Sequence, residues 1–305
     1  MSQNVKTRNL RIFVEVVRQG GFSQAAKVVF ATQSTVSKAV KQLEDELRVP
    51  LLDRIGHRSS LTAAGEIVYR RALKMLADQE DLTAELEALR GLKRGRLRLG
   101  LPPVGSSILF APLFAVYRER YPNIEIRLVE HGADRLAEIL EAGEIDLAAA
   151  LLPLAGAFES QEVRREPIVA VLSAHHSLAR RKSVSFADLR RIPFILFESG
   201  FALNRIILDG CARRGFEPRI VARSSQIDFI IELAASGLGV AFLPALIAEN
   251  RRHAGVRTAL LAEPNMEWRI AMIWRREAYL PESTRAWLAL TKECHQALPP
   301  ILQSN

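Results

Sequence analysis

The stretch FSQAAKVVFATQSTVSKAVKQLEDEL, residues 22–47, decides how the first part of this chain folds. Wound at about 100° per residue, the run from Ser34 puts Val36, Val40, Leu43 and Leu47 on one face. Ser34, Ser37, Lys38 and Lys41 fall on the opposite one. The apolar face needs a core. The other face carries small hydroxyls and two cations, with no acid on it before Asp45. That chemistry suits a groove lined with phosphates and base edges.

Upstream, Leu10, Phe13, Val14 and Val17 recur at i, i+3, i+4, i+7, so residues 7–19 read as an amphipathic helix stopped by Gly20 and Gly21. Ser23 is in place to cap a second helix, in which Ala25, Ala26 and Val29 form a small-residue face for close packing. A turn near Ala31–Gln33 leads to the third helix, with Ser34 as its expected cap and Pro50 beyond its end. Two short helices joined by a tight turn make a helix-turn-helix. Downstream, LLDRIGHRSSLT (51–62) has extended character around Gly56, with Arg54, His57 and Arg58 at its tip, and reads as a small β-wing. Periodicity by itself leaves open a plain three-helix bundle with a solvated polar face.

The whole chain of 305 residues has room for two or three domains, and its 49% hydrophobic share describes a well-cored protein. No apolar run approaches the roughly 18 residues needed to span a bilayer, and MSQNVKTRNLRIF at the start lacks a signal-peptide core. Cys211 and Cys294 stand far apart, against a disulfide framework or zinc cluster. The expectation is a cytoplasmic protein without metal or cofactor and without a membrane partner. Net charge is +8, and residues 1–61 hold 10 Lys/Arg against five acids, so the positive charge concentrates at this end. An electropositive end on a nearly balanced body fits a phosphate-contacting module.

These residues carry a family resemblance. FVEVVRQGGFSQAAKVVFATQSTVSKAVKQLEDELRVPLLDR followed by LTAAGE resembles the N-terminal winged helix-turn-helix of LysR-type transcriptional regulators. The match includes the Ser-x-Ala-Ala entry, the Gln-x-x-Val-Ser-Lys recognition helix, the Leu-Glu-x-x-Leu exit and the Leu-Thr-x-Ala-Gly step after the wing. Leu52 departs from the pattern, standing where the family usually carries an aromatic. The resemblance implies a bacterial, sequence-specific DNA-binding regulator. Gln33, Ser34, Thr35 and Ser37 would reach base edges, and Lys38, Lys41, Arg54 and Arg58 would anchor phosphates. Arg54 either contacts phosphate or enters the adjacent minor groove; the sequence leaves both open.

Residues 62–92 follow as one long helix. Val68, Ala72, Met75, Gln79, Leu82, Leu86 and Leu89 keep a 4-3-4-3-4-3 spacing, a coiled-coil seam with one polar interruption. Gly65 in its first turns costs about 1 kcal/mol relative to Ala, which predicts a close packing contact there. A lone helix needs its stripe buried, either on its own domain or on a second copy. The resemblance favours the second copy, with Met75, Leu82, Leu86 and Leu89 pairing subunits. A dimer of dimers, a homotetramer, is then expected. Paired recognition helices about one DNA turn apart would read a pseudo-palindromic site on double-stranded DNA.

From about residue 93 the register changes. RLRLGLP, NIEIRLVE and IDLAAALL read as strands separated by helices over 107–120 and 133–142, which implies right-handed crossovers and a parallel sheet. The pattern restarts with PFILF, a helix around 201–214, RIVAR, a helix near 226–236 and GVAFLP. WRIAMIW and a helix after Pro281 complete it. The expected class is α/β: a winged helix-turn-helix over 1–61, a linker helix over 62–92, and a domain over 93–305. The last resembles the family's periplasmic-binding-protein-like effector domain. Its halves are about 93–164 with 268–305, and about 165–267.

Ligands in open α/β sheets sit at the carboxyl ends of parallel strands. Those ends bring forward Val104, Gly105, Ser106, Ser107, His131, Leu152, Ser199 and Phe201 as effector contacts. Ser106 and Ser107 at a helix start either hold an anion with the backbone N–H groups or simply cap the helix. A small organic anion is the effector the resemblance implies, its identity unread. An enzyme is disfavoured: there is no Gly-x-Ser-x-Gly, His-Glu-x-x-His or phosphate-binding Gly-x-x-x-x-Gly-Lys. The alternative reading is a cytoplasmic small-ligand-binding protein with a nonspecific basic DNA anchor.

Overall fold

A computed structural model describes residues 5–55, 58–89, 95–154, 156, 158–264, 266–276 and 278–296. The chain forms two compact units, one mainly residues 1–92 and the other mainly residues 93–305.

In the first unit, α1 (Thr7–Arg18) buries Leu10, Phe13 and Val14. It packs against α2 (Phe22–Val28) and α3 (Gln33–Leu47). Two expected caps are displaced. Ser23 lies inside α2, which starts after Gly21. Thr32, not Ser34, caps α3, its side chain accepting from the Thr35 N–H at 3.2 Å. Both are short hydroxyl residues, and Thr32 has the extended backbone (φ −78°, ψ 153°) that an N-cap requires. Val36, Val40 and Leu43 are fully buried, while Leu47 at the helix end is half-buried. Arg48 ends α3 in the left-handed region at φ 58°.

The wing is an antiparallel pair, β1 (Leu52–Ile55) and β2 (Arg58–Leu61), in register Leu52↔Leu61 to Ile55↔Arg58. Glu44 fastens it to α3 by accepting from the Leu51 and Leu52 N–H groups at 2.8 and 3.3 Å. Leu52, at the position where the family usually carries an aromatic, is buried and packs in the core of the first unit. Thr62 then donates to the Pro50 carbonyl at 2.8 Å and accepts from the Gly65 N–H at 2.9 Å. This sets the first turn of α4 (Ala63–Leu89). A Cβ on Gly65 would fall within the van der Waals shell of the Leu51 carbonyl. That is the close contact its position in the sequence predicted.

The second unit is built on a mixed sheet. In chain order its elements are β3 (Gly95–Leu101), α5 (Ser106–Leu109), α6 (Ala111–Arg120), β4 (Ile124–Glu130), α7 (Ala133–Glu141) and β5 (Leu147–Leu151). Then come β6 (Phe158–Ser173), β7 (Ser183–Val184), α8 (Phe186–Leu189), β8 (Phe194–Phe197), α9 (Ala202–Arg213) and β9 (Ile220–Ser224). The chain continues through α10 (Ile227–Ala235), β10 (Ala241–Pro244), α11 (Ala245–Asn250), β11 (Val256–Leu261), β12 (Glu267–Arg275) and α12 (Glu282–Gln296). Strand order is β4-β3-β5-β12-β6-β11-β7, with β10 also on β6. As expected, β3 runs parallel to β4 and to β5. The sheet as a whole is not parallel, because β12 runs antiparallel to β5 and to β6.

The 16-residue β6, absent from the sequence reading, joins the halves. It pairs with β12 up to Pro167, then with β10 and β11 from Ile168 onward. β8 and β9 form a parallel pair, bridged to Val240 through Phe194. One core runs through both halves, and a smaller cluster around Leu136, Ile139, Leu140 and Ile145 lies under α7.

Candidate nucleic-acid interface and effector cleft

At the start of α3 the polar groups are organised before any ligand arrives. Thr32 Oγ1 lies 2.9 Å from Ser34 Oγ and 2.8 Å from Thr35 Oγ1, and Ser23 donates to Gln33 Oε1 at 3.1 Å. Gln33, Ser34 and Thr35 are exposed and Ser37 is half-buried. The first turn of α3 holds no acid, so the positive end of the helix dipole is uncompensated there. Lys38 and Lys41 are exposed one and two turns further on, and neither forms an ion pair among the described residues. Thr32 was not among the expected site residues, although a hydroxyl directly before Gln33 signals a cap. Arg54 and Arg58 occupy the two strands of the wing, but their side chains lie outside the described residues.

The expected seam of α4 divides. Val68 and Ala72 turn into the core of the first unit, beside the buried Leu73 and Leu76. Met75, Leu82 and Leu86 are exposed by 51%, 57% and 47%, and Ile67, missed from the sequence, joins them at 55%. The side chain of Leu89 lies outside the described residues.

In the second unit a small cleft enclosing about 30 Å³ is lined by residues 102–104, 132–133, 150–151 and 201–203 with Trp268. The first four groups follow or end β3, β4, β5 and β8, the carboxyl ends of the parallel strands. Trp268 comes from β12 and forms part of the wall. Of the expected contacts, Val104 and Phe201 line this cleft. Gly105, at φ 94°, backs onto Trp268, whose Cη2 would lie 2.7 Å from a Cβ there. Ser106 is buried and donates to the Pro102 carbonyl, while Ser107 is exposed. Neither caps α5, which starts after Gly105 without a side-chain cap.

His131 and Ser199 are exposed and do not line the cleft, and Leu152 packs on the smaller core cluster instead. Gly132 and Leu151, next to His131 and Leu152 in the chain, and Phe201, two residues beyond Ser199, line it instead. A Cβ on Gly132 would meet the Gly200 carbonyl oxygen at 2.8 Å, so the loops after β4 and β8 nearly touch. Asn204 holds the second loop, accepting from the Phe197 N–H at 3.0 Å and donating to the Phe197 and Glu198 carbonyls at 2.9 Å. Phe197 and Phe201 stack, centroids 5.0 Å apart.

A polar recognition helix beside a wing, on a chain whose larger unit is a two-part α/β fold with a cleft at the carboxyl ends of its parallel strands, defines a DNA-binding regulator with an effector domain. Comparison with known proteins identifies the lineage. Residues 7–66 match the bacterial regulatory helix-turn-helix protein model of the lysR family, and residues 90–295 match the LysR substrate binding domain. The HTH-type transcriptional regulator YwbI of Bacillus subtilis (strain 168) is 35% identical over 286 residues, covering 93% of this chain and 95% of that protein. A full-length OxyR variant from Pseudomonas aeruginosa superposes with a TM-score of 0.77 at 23% identity, over 98% of this chain and 99% of that one. Full-length CbnR in complex with its target DNA has a TM-score of 0.64 at 22% identity, over 94% and 99%; at such identities the likeness is one of fold. This chain belongs to the LysR family of transcriptional regulators.

Proposed function

We propose that this regulator reads base edges with Gln33, Ser34, Thr35 and Ser37 while Lys38, Lys41, Arg54 and Arg58 hold phosphates. The observation that carries this is the acid-free, exposed start of α3, where hydroxyl and amide groups are held in place by Thr32 and Ser23. Phosphate contacts set register and bring salt dependence, whereas base contacts carry sequence. CbnR, of the same fold, has been captured on its target DNA. Pairing through Met75, Leu82, Leu86 and Leu89, with Ile67 added, gives two such helices, and a dimer of dimers follows.

The effector is a small molecule with an apolar body, held between Val104, Phe201 and Trp268. An anionic group on it would face the main-chain N–H groups near Ser106 and Ser107. An effector that favours one arrangement of the two halves shifts the equilibrium between DNA-bound geometries. The protein works in the cytoplasm without catalysis, metal or cofactor. No helix among the described residues is long and apolar enough to cross a membrane.

The test is footprinting of purified protein on DNA upstream of its own and neighbouring genes, at two salt concentrations with excess nonspecific competitor. A protected pseudo-symmetric site that survives competitor is the expected result. Sequence-blind, salt-labile binding alone would leave the ligand-binding protein with a basic anchor as the better description.

A further inference from the structure

The first unit is not the one place where positive charge gathers. Eight exposed cations converge on one end of the second unit: Arg180, Arg181, Lys182, Arg190, Arg191, Arg213, Arg214 and Arg219. They arrive from separate segments. Arg180, Arg181 and Lys182 precede β7, Arg190 and Arg191 precede β8, Arg213 and Arg214 close α9, and Arg219 precedes β9. Contacts fasten these segments together. Arg181 reaches Asp188 in α8 at 2.7 Å, and Arg190 lies over the Phe216 ring at 5.8 Å. The Arg219 carbonyl accepts from the Phe194 N–H at 2.8 Å, and Arg214 reaches Glu263 at 2.8 Å.

Three acids stand among them, Asp188, Glu217 and Glu263, with Asp209 one turn further along α9. Two of the three are taken by Arg181 and Arg214. The side chains of Arg180, Lys182, Arg191 and Arg219 have no ion-pair or hydrogen-bond partner among the described residues. This end lies at the amino ends of β8 and β9, away from the carboxyl ends that form the cleft. A ligand in the cleft and a polyanion here would therefore not compete.

We infer that this end of the effector domain docks on the phosphate backbone of DNA flanking the site read by the helix-turn-helix. The inference rests on the reading of the first unit as a DNA-binding module. Protein interfaces are built around a desolvated core from which charge is depleted. Here the aromatics are sunk beneath the cations, Phe186 buried and Phe216 half-buried. The apolar side chains that follow Arg219, Ile220 and Val221, are exposed by only 36% and 37%. Phosphate contacts need no such core. Seven of the eight cations are arginine, whose planar fork matches phosphate oxygens. A duplex already held by the same molecule is present at high effective concentration, so even weak contacts become occupied.

The test uses the full chain and two duplexes centred on the footprinted site. One covers the core alone; the other extends it by about two helical turns on each side. Wild-type protein is expected to bind the long duplex about tenfold tighter at ~100 mM salt, with a steeper salt dependence. The variant R180Q/K182Q/R191Q/R219Q is expected to lose that advantage, its log–log salt slope on the long duplex falling by about 3–4 for each docked protomer. Its affinity for the short duplex should match wild type, which also reports an intact fold. The paired variants R180Q/K182Q and R191Q/R219Q should each lose part of the slope. Equal length dependence in variant and wild type overturns the inference and leaves the helix-turn-helix reading standing. So does a variant with unaltered long-duplex binding that fails to regulate transcription with purified polymerase, because the patch would then serve a protein. Wild type binding neither duplex specifically removes both readings.

Discussion

Replacing Gly65 by alanine sets two effects of opposite sign against each other. Alanine in a helix is favoured over glycine by about 1 kcal/mol, so a surface argument predicts stabilisation. The added methyl would enter the shell of the Leu51 carbonyl and stand 3.0 Å from both its carbon and Leu61 Cδ2. A backbone carbonyl cannot rotate aside as a flexible side chain can, and forced overpacking costs about 1–3 kcal/mol. That same carbonyl accepts from the Thr62 N–H at 3.0 Å, and Thr62 in turn ties Pro50 to Gly65. Disturbing those bonds adds about 1 kcal/mol each. The net expectation is a loss of about 2–3 kcal/mol, or roughly 30- to 150-fold faster amide exchange where exchange tracks the opening equilibrium. Hydrogen exchange of peptides spanning residues 51–66 measures this directly. All three tryptophans, Trp268, Trp274 and Trp287, belong to the second unit. Their fluorescence should therefore stay unchanged while the wing loosens. If Gly65→Ala slowed exchange around the wing, the close contact would not be what demands glycine.

Lys38→Ala should weaken specific binding and lower the log–log salt slope by about 1; an unchanged slope removes its phosphate contact. Leu82→Asp should dissociate paired subunits, and an unaltered mass in analytical ultracentrifugation would show that the exposed stripe is not the pairing face. Asn204→Leu strips the loop at residues 197–198 of its three hydrogen bonds. A loss of about 1–3 kcal/mol in local stability is expected, read as faster exchange over residues 197–201. Asp188 accepts from the Ser185 backbone N–H and hydroxyl, and these bonds, with Arg181, hold its carboxyl below the usual range. A lowered folded-state value stabilises above the ordinary carboxylate range near ~4 and is lost as pH falls through it. The stability gap between wild type and Asp188→Asn should accordingly close in acid; a gap constant with pH would contradict the sign.

The parts legible in the sequence were those where one side chain answers to one period. Val36, Val40 and Leu43 announced their face because every turn of α3 repeats it. Caps were less legible, since Thr32, Ser34 and Ser23 are chemically equivalent and only the backbone angles choose among them. The strand β6 stayed hidden for a different reason. A shift in its pairing between Ile270 and Ala271 of β12 breaks the alternation in its charged first half, and its second half is a buried run. Around the cleft Val104 and Phe201 line the wall as expected, while His131, Leu152 and Ser199 stand one or two residues from those that do. Leu151, the last residue of β5, lines the cleft, while Leu152 lies past the strand's end, where the chain bends onto the other cluster. Trp268 read as a strand residue because its role depends on which strands lie beside β12, a matter of topology that no local window holds. Ala72 kept heptad spacing yet packs inward, since spacing states that a stripe is buried but not on what.

The pairing of β6 has a consequence for how the protein is made. Its first half is completed by β12, about a hundred residues further along the chain, whereas the buried core of the helix-turn-helix and wing lies within residues 10–76, ahead of it in the chain. Domains tend to fold as units in the order of synthesis, and distant strand pairings form late. During translation there is thus an interval in which the DNA-reading module is finished and its sensor is still open along β6, lacking its neighbour strand. A transcript cut short before β12 would yield a reader without a regulator.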